Sequence, residues 1–79
     1  MASSDTIAKE KVEAFFIREF GKGVTDQVWT LKRGNAPWDS LRHIELINAF
    51  ELQFSLQLNF DEACSLSKAE DFVKILESR

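Results

Sequence analysis

The chain has 79 residues, 44% of them hydrophobic, with seven phenylalanines and two tryptophans, which suits one small folded domain (1–79) and excludes a disordered chain. Its net charge is −3 and no basic cluster stands out, so nucleic acid is not an expected partner. The single cysteine, Cys64, excludes an intramolecular disulfide.

The first predicted helix covers residues 6–20. Ile7, Ala8, Val12, Phe15, Phe16 and Phe20 recur at helical spacing as its inner face, and Ser4 or Asp5 can cap it. Lys9, Glu10, Lys11 and Glu13 form a solvated face. Gly21 and Gly23 stop the helix. Residues 21–38 make a long connection whose Gly, Asn and Pro residues mark turns, with Val24, Val28, Trp29 and Leu31 packing down.

The second helix covers residues 40–54, with Asp39 as its N-cap and Pro37 favouring an extended entry. Residues 56–60 alternate apolar and polar. An isolated strand has nothing to pair with, so they read as a connector that buries Leu56, Leu58 and Phe60. A short helix over residues 61–66 follows, capped by Asp61. Cys64 is expected there as a small buried residue. The last helix opens with Ser67 and Glu70 as a capping box, and Ala69, Phe72, Val73 and Leu76 face inward. The expected fold is therefore all-α: a small antiparallel bundle of three longer helices and one short one, with a long first loop.

The second helix carries two apolar sets. His43, Leu46, Ile47, Phe50 and Phe54 form the natural core stripe. Leu41, Ile44, Asn48 and Leu52 lie on another side, flanked by Glu45 and Glu51. That side is either covered by the long loop or offered to a partner. Acids outnumber bases around this helix: residues 39–62 hold five acids (Asp39, Glu45, Glu51, Asp61, Glu62) and one base, Arg42. A partner with a basic groove would be steered here.

Ser40 stands at the mouth of this helix. It is either an ordinary first-turn residue beside the Asp39 cap, or a hydroxyl presented for esterification, where first-turn amides and the helix dipole stabilise an added phosphate. The stretch Asp39-Ser40-Leu41, followed by Ile44-Glu45-Leu46-Ile47, resembles the modification motif and second helix of acyl carrier proteins. The order downstream is similar too: connector, short third helix, cap, fourth helix. The resemblance spans most of the chain and is loosest before Pro37.

The resemblance implies that Ser40 is the attachment point for a 4′-phosphopantetheine arm drawn from coenzyme A. The arm's thiol would carry acyl groups as thioesters. Asp39 would help position the serine and the incoming coenzyme A, with Leu41 beside them at the cofactor site. Leu41, Ile44, Glu45, Asn48 and Glu51 would face partners. Those partners are a phosphopantetheinyl transferase and the enzymes that load and use the acyl group, each with a basic docking surface. The chain would be a phosphoprotein of fatty-acid, polyketide or other lipid biosynthesis, with no catalysis of its own. Phe16, Leu46, Phe50 and Phe72 either line a space for an acyl chain or form the core.

Arg42 and His43 stand where the family usually has an acid, and Trp38 replaces a small residue. These departures point to a carrier dedicated to a special pathway. His43 is expected as a structural residue of the inner stripe, without partners for catalysis or metal binding. Trp38 is expected against the loop or the arm. No apolar run suggests a membrane span and the first residues lack the apolar core of a signal peptide, so a monomeric, cytoplasmic protein is expected. Two alternatives stay open: an unmodified helical interaction module using Leu41, Ile44 and Leu52, and a carrier of aminoacyl cargo.

Overall fold

Four helices follow in order: α1 (Ser4–Phe20), α2 (Ser40–Phe54), α3 (Phe60–Ser65) and α4 (Ala69–Ser78). Two single 3-10 turns, Lys22–Val24 and Val28–Thr30, lie in the long connection between α1 and α2. A computed structural model describes residues 4–78, with side chains from Ile7 onward. No β-strand occurs among the described residues, so the fold is all-α, three longer helices and one short one, as the periodicity predicts. The proposed caps of α1, Ser4 and Asp5, lie outside the described side chains; the helix already includes both residues.

The core is aromatic. Phe72 of α4 meets Phe50 of α2 edge-on at 4.8 Å and Phe16 of α1 at 5.2 Å between ring centroids. Phe15 and Val12 add to it from α1, Leu46 from α2 and Leu66 from the α3–α4 connection, all buried. Each such side chain contributes about 1.5–3 kcal/mol by leaving water. An edge-to-face ring pair adds about 0.5–1.5 kcal/mol. Phe16, Leu46, Phe50 and Phe72 are fully buried, so of their two expected roles they fill that of core.

The helix ends follow local chemistry. Gly21 adopts a positive φ of 93° and its N–H bonds the Ile17 carbonyl at 2.8 Å, closing α1. Ser55 takes the left-handed conformation after α2, and the N–H groups of Ser55 and Leu56 both bond the Glu51 carbonyl. The Glu51 carboxylate accepts a further bond from the Leu58 N–H at 2.7 Å, which fixes the connector against the end of α2.

The long loop does not cover the second apolar side of α2. Val24, Val28 and Leu31 are buried as expected, and the second 3-10 turn packs on α1 and α4. The Arg33 N–H then bonds the Ser67 carbonyl at 2.9 Å, and Lys32 forms an isolated bridge with Lys68. The loop is thus tied to the α3–α4 connection.

Several expectations are corrected. Asn59, not Asp61, caps α3: its side chain accepts the Glu62 N–H, and Glu62 accepts the Asn59 N–H in return. Phe60 therefore starts a helix instead of ending an extended segment, and it points outward, 81% exposed. Cys64, one turn on from Phe60, shares that outer face and is exposed, not buried. At α4, the Asp71 carboxylate, not Glu70, accepts both the N–H and the hydroxyl of Ser67, because the helix begins only at Ala69. Ile7 is exposed, not inward, at the rim of an open cleft beside Phe54, Leu56 and Leu76. Trp38, expected against the loop or the arm, does more than rest on the loop. It is fully buried in the core, 5.4 Å from Phe16 and 5.9 Å from Phe72.

Candidate functional site

The entry of α2 is built by three consecutive residues with separate duties. Trp38 anchors the chain in the core. Asp39 has extended backbone and caps the helix: its Oδ1 accepts the Arg42 N–H at 2.8 Å, and its carbonyl accepts the His43 N–H at 2.9 Å. Ser40 is the first helical residue and is exposed. The capping bond belongs to Asp39, so the Ser40 hydroxyl is not needed for it.

Arg42 and His43 hold this entry in place. The Arg42 guanidinium donates to the Glu45 carboxylate at 3.0 Å and to the Glu19 carbonyl, and lies 4.0 Å from the Glu19 carboxylate. It also sits over the Phe20 ring at 5.1 Å, so it pins the start of α2 to the end of α1. His43 stacks on Trp38, with centroids 5.9 Å apart. These are the residue before the cap and the fourth residue of the helix, the pair that forms a hydrophobic staple.

The bonds of His43 define its tautomer. The Trp38 indole N–H donates to Nδ1 at 3.0 Å, so Nδ1 carries no proton. Nε2 must then donate to the Ala63 carbonyl, 2.9 Å away. Arg33 Nη1 lies 3.4 Å from Nε2; two donors face each other there, so this contact is no hydrogen bond. Burial pushes the imidazole below the ordinary histidine value; the bond to Ala63 works against this, and the Arg33 charge adds to the lowering. His43 is thus a satisfied structural histidine, as its place on the inner stripe predicts.

The second side of α2 is uncovered by the described residues. Leu41 is 69%, Ile44 61% and Leu52 81% exposed, and Asn48 is exposed between them. Of the two flanking acids, Glu45 is paired with Arg42 and Glu51 is engaged by Leu58. Between α2 and α3 lies an apolar cleft of about 210 Å³ with Ile44, Ile47, Phe60 and Cys64 among its walls and Arg33 at its edge. Ser40 shares the helical face of Ile44 and Ile47 but is not among the walls of this cleft.

The Trp38–His43 staple and the Arg42–Glu19 tie are absent from a helix-wheel reading, because each joins α2 to a residue outside it. The five-residue spacing of Trp38 and His43 around Asp39 is the signal that identifies the staple. Among the described residues, no group of three His, Cys, Asp or Glu side chains could hold a metal, and no helix is long and apolar enough to cross a membrane. No family model, no curated protein and no solved structure matches this chain.

Proposed function

We propose that the chain is an acyl carrier protein with Ser40 as the attachment point for 4′-phosphopantetheine. One observation carries the reading: an exposed serine opens a 15-residue helix whose cap is supplied by the preceding aspartate. The residue types fit the group. An esterified Ser40 keeps its added charge in water, near the positive end of the helix dipole, and no buried side chain has to move. When bound, the arm supplies a terminal thiol that holds an acyl group as a thioester.

The rest of the site would serve docking. Leu41, Ile44 and Asn48 present an open face one to two turns from the serine. Glu45 offers charge to the basic surface of a transferase or an acyl-using enzyme. Glu51 is held by the connector, so Leu41 and Ile44 carry more of the contact. Such small, partly charged contacts form fast and release fast, which suits a carrier that passes between enzymes. The pathway would be fatty-acid, polyketide or a specialised acyl synthesis in the cytoplasm.

Leu52 supports a second reading. It is 81% exposed and sits about 18 Å along the helix from Ser40, continuing the apolar side toward the far end of α2. An unmodified interaction module would use this whole strip. Incubation with coenzyme A and a broad-specificity phosphopantetheinyl transferase, followed by intact mass, separates the two. The carrier gains one phosphopantetheine, and Ser40→Ala gains none. An unchanged mass with several transferases supports the interaction module.

A further inference from the structure

His43 bonds the end of the long loop at Trp38 to α3 at Ala63 and lies beside Arg33 of the same loop. Its ring accepts from Trp38 in the core, donates to the Ala63 carbonyl of α3 and faces Arg33 of the long loop. No carboxylate bonds the ring among the described residues. The charged and titratable groups on the elements packed here are Arg33 from the loop, Glu62 and Cys64 on either side of Ala63 on α3, with Glu62 engaged by the Asn59 N–H, and Asp39 and Arg42 beside it at the start of α2. Asp39 is occupied by the cap and Arg42 by Glu19 and Glu45. An added positive charge on the ring would therefore meet one guanidinium and no free anion.

The consequence follows from donor counting. Protonation places a hydrogen on Nδ1, where the Trp38 N–H already points. Two donors then face each other at 3.0 Å, and Arg33 stands 3.4 Å from Nε2. The Ala63 bond survives in the closed form, but that form now also bears the lost indole bond and the repulsion from Arg33. An opened form with a hydrated imidazolium bears neither.

We propose that His43 is a proton-operated latch: its protonation breaks the Trp38–His43 bond and weakens the junction of α2 with α3, widening the cleft between those helices. This is independent of what Ser40 carries. The sign follows from linkage. The closed form holds its histidine below the ordinary value, near 6.5, that the opened form has, so the opened form binds the proton first. The latch is fully closed above that ordinary value and weakens as pH falls through the window down to the closed form's lower value. Within this window the ratio of opened to closed rises by up to about tenfold per pH unit.

The test is nuclear magnetic resonance of the whole chain between pH 7.5 and 4.5. Three signals are followed: the His43 ring, the Trp38 indole N–H and the α3 amides, the last as protection factors corrected for the intrinsic pH dependence of exchange. The latch predicts that the Trp38 signal moves with the same midpoint as His43, and that α3 protection falls several-fold while the middle of α1 stays protected. His43→Gln keeps an acceptor and a donor without titrating, and should abolish both changes. If that variant does not fold, the coincidence of midpoints in the natural chain decides. A Trp38 signal and α3 protection that stay flat while His43 titrates would overturn the proposal, as would an unchanged pH response in a folded His43→Gln.

Discussion

Asp39 and Ser40 are neighbours at one helix start, yet their removal should have very different costs. In Asp39→Ala the Arg42 N–H loses its acceptor at 2.8 Å, while the bond from the His43 N–H to the residue-39 carbonyl is backbone and survives. Loss of a cap costs about 1 kcal/mol, within a range of about 0.5–2 kcal/mol. Part of that is the interaction of the carboxylate charge with the helix dipole, about 0.3–1 kcal/mol. Asp39→Asn keeps an acceptor and should lose only this part. Ser40→Ala removes an exposed hydroxyl that does no capping and inserts the best helix former, so its change should stay within about 0.5 kcal/mol. In a domain of this size each kcal/mol moves the melting midpoint by about 4–8 °C. Urea and thermal unfolding followed by helical circular dichroism read all three variants. If Ser40→Ala loses as much stability as Asp39→Ala, the serine carries the cap. The division of labour on which the site depends is then wrong.

Two other outcomes follow from the packing. Phe72 contacts rings from α1 and α2 and the buried Trp38, so Phe72→Ala should cost about 3–5 kcal/mol, a large share of the roughly 4–12 kcal/mol available to a chain this long. Phe72→Leu should retain a cooperative urea transition with a lower midpoint; an unchanged midpoint would refute the aromatic core. Cys64 is exposed on α3, so a thiol-specific reagent should label it in the folded chain nearly as fast as in denaturant, whereas a long lag would mean the residue is covered.

The bounds of α2 were legible because strong local signals agree there: an aspartate cap, a run of helical periodicity and Phe54 as the last apolar residue before Ser55. The paired apolar sides of that helix were legible for the same reason. Two-residue alternation in residues 56–60 reads as an extended connector, but the Asn59–Glu62 box in the same stretch commits Phe60 to a helix. Cys64 reads as buried from its apolar neighbours, but four residues after the outward Phe60 it lies on the outer face of α3. The staple spacing ties Trp38 to His43, but its burial among Phe16 and Phe72 and the path of the loop depend on contacts distant in sequence, such as Arg33 with Ser67, that no local pattern encodes. Arg42 and His43 were set apart as departures from the carrier pattern. Each has a duty inside the domain, one tying α2 to α1 and the other stapling Trp38 and holding α3. Their presence therefore needs no dedicated partner.

The most direct measurement is fragmentation mass spectrometry of the chain after reaction with coenzyme A and a phosphopantetheinyl transferase. The account predicts one adduct per chain, on the peptide that contains Ser40, with fragment ions that assign it to that residue. An adduct on any other serine, or no adduct on folded chain under conditions that modify a known carrier, would contradict it.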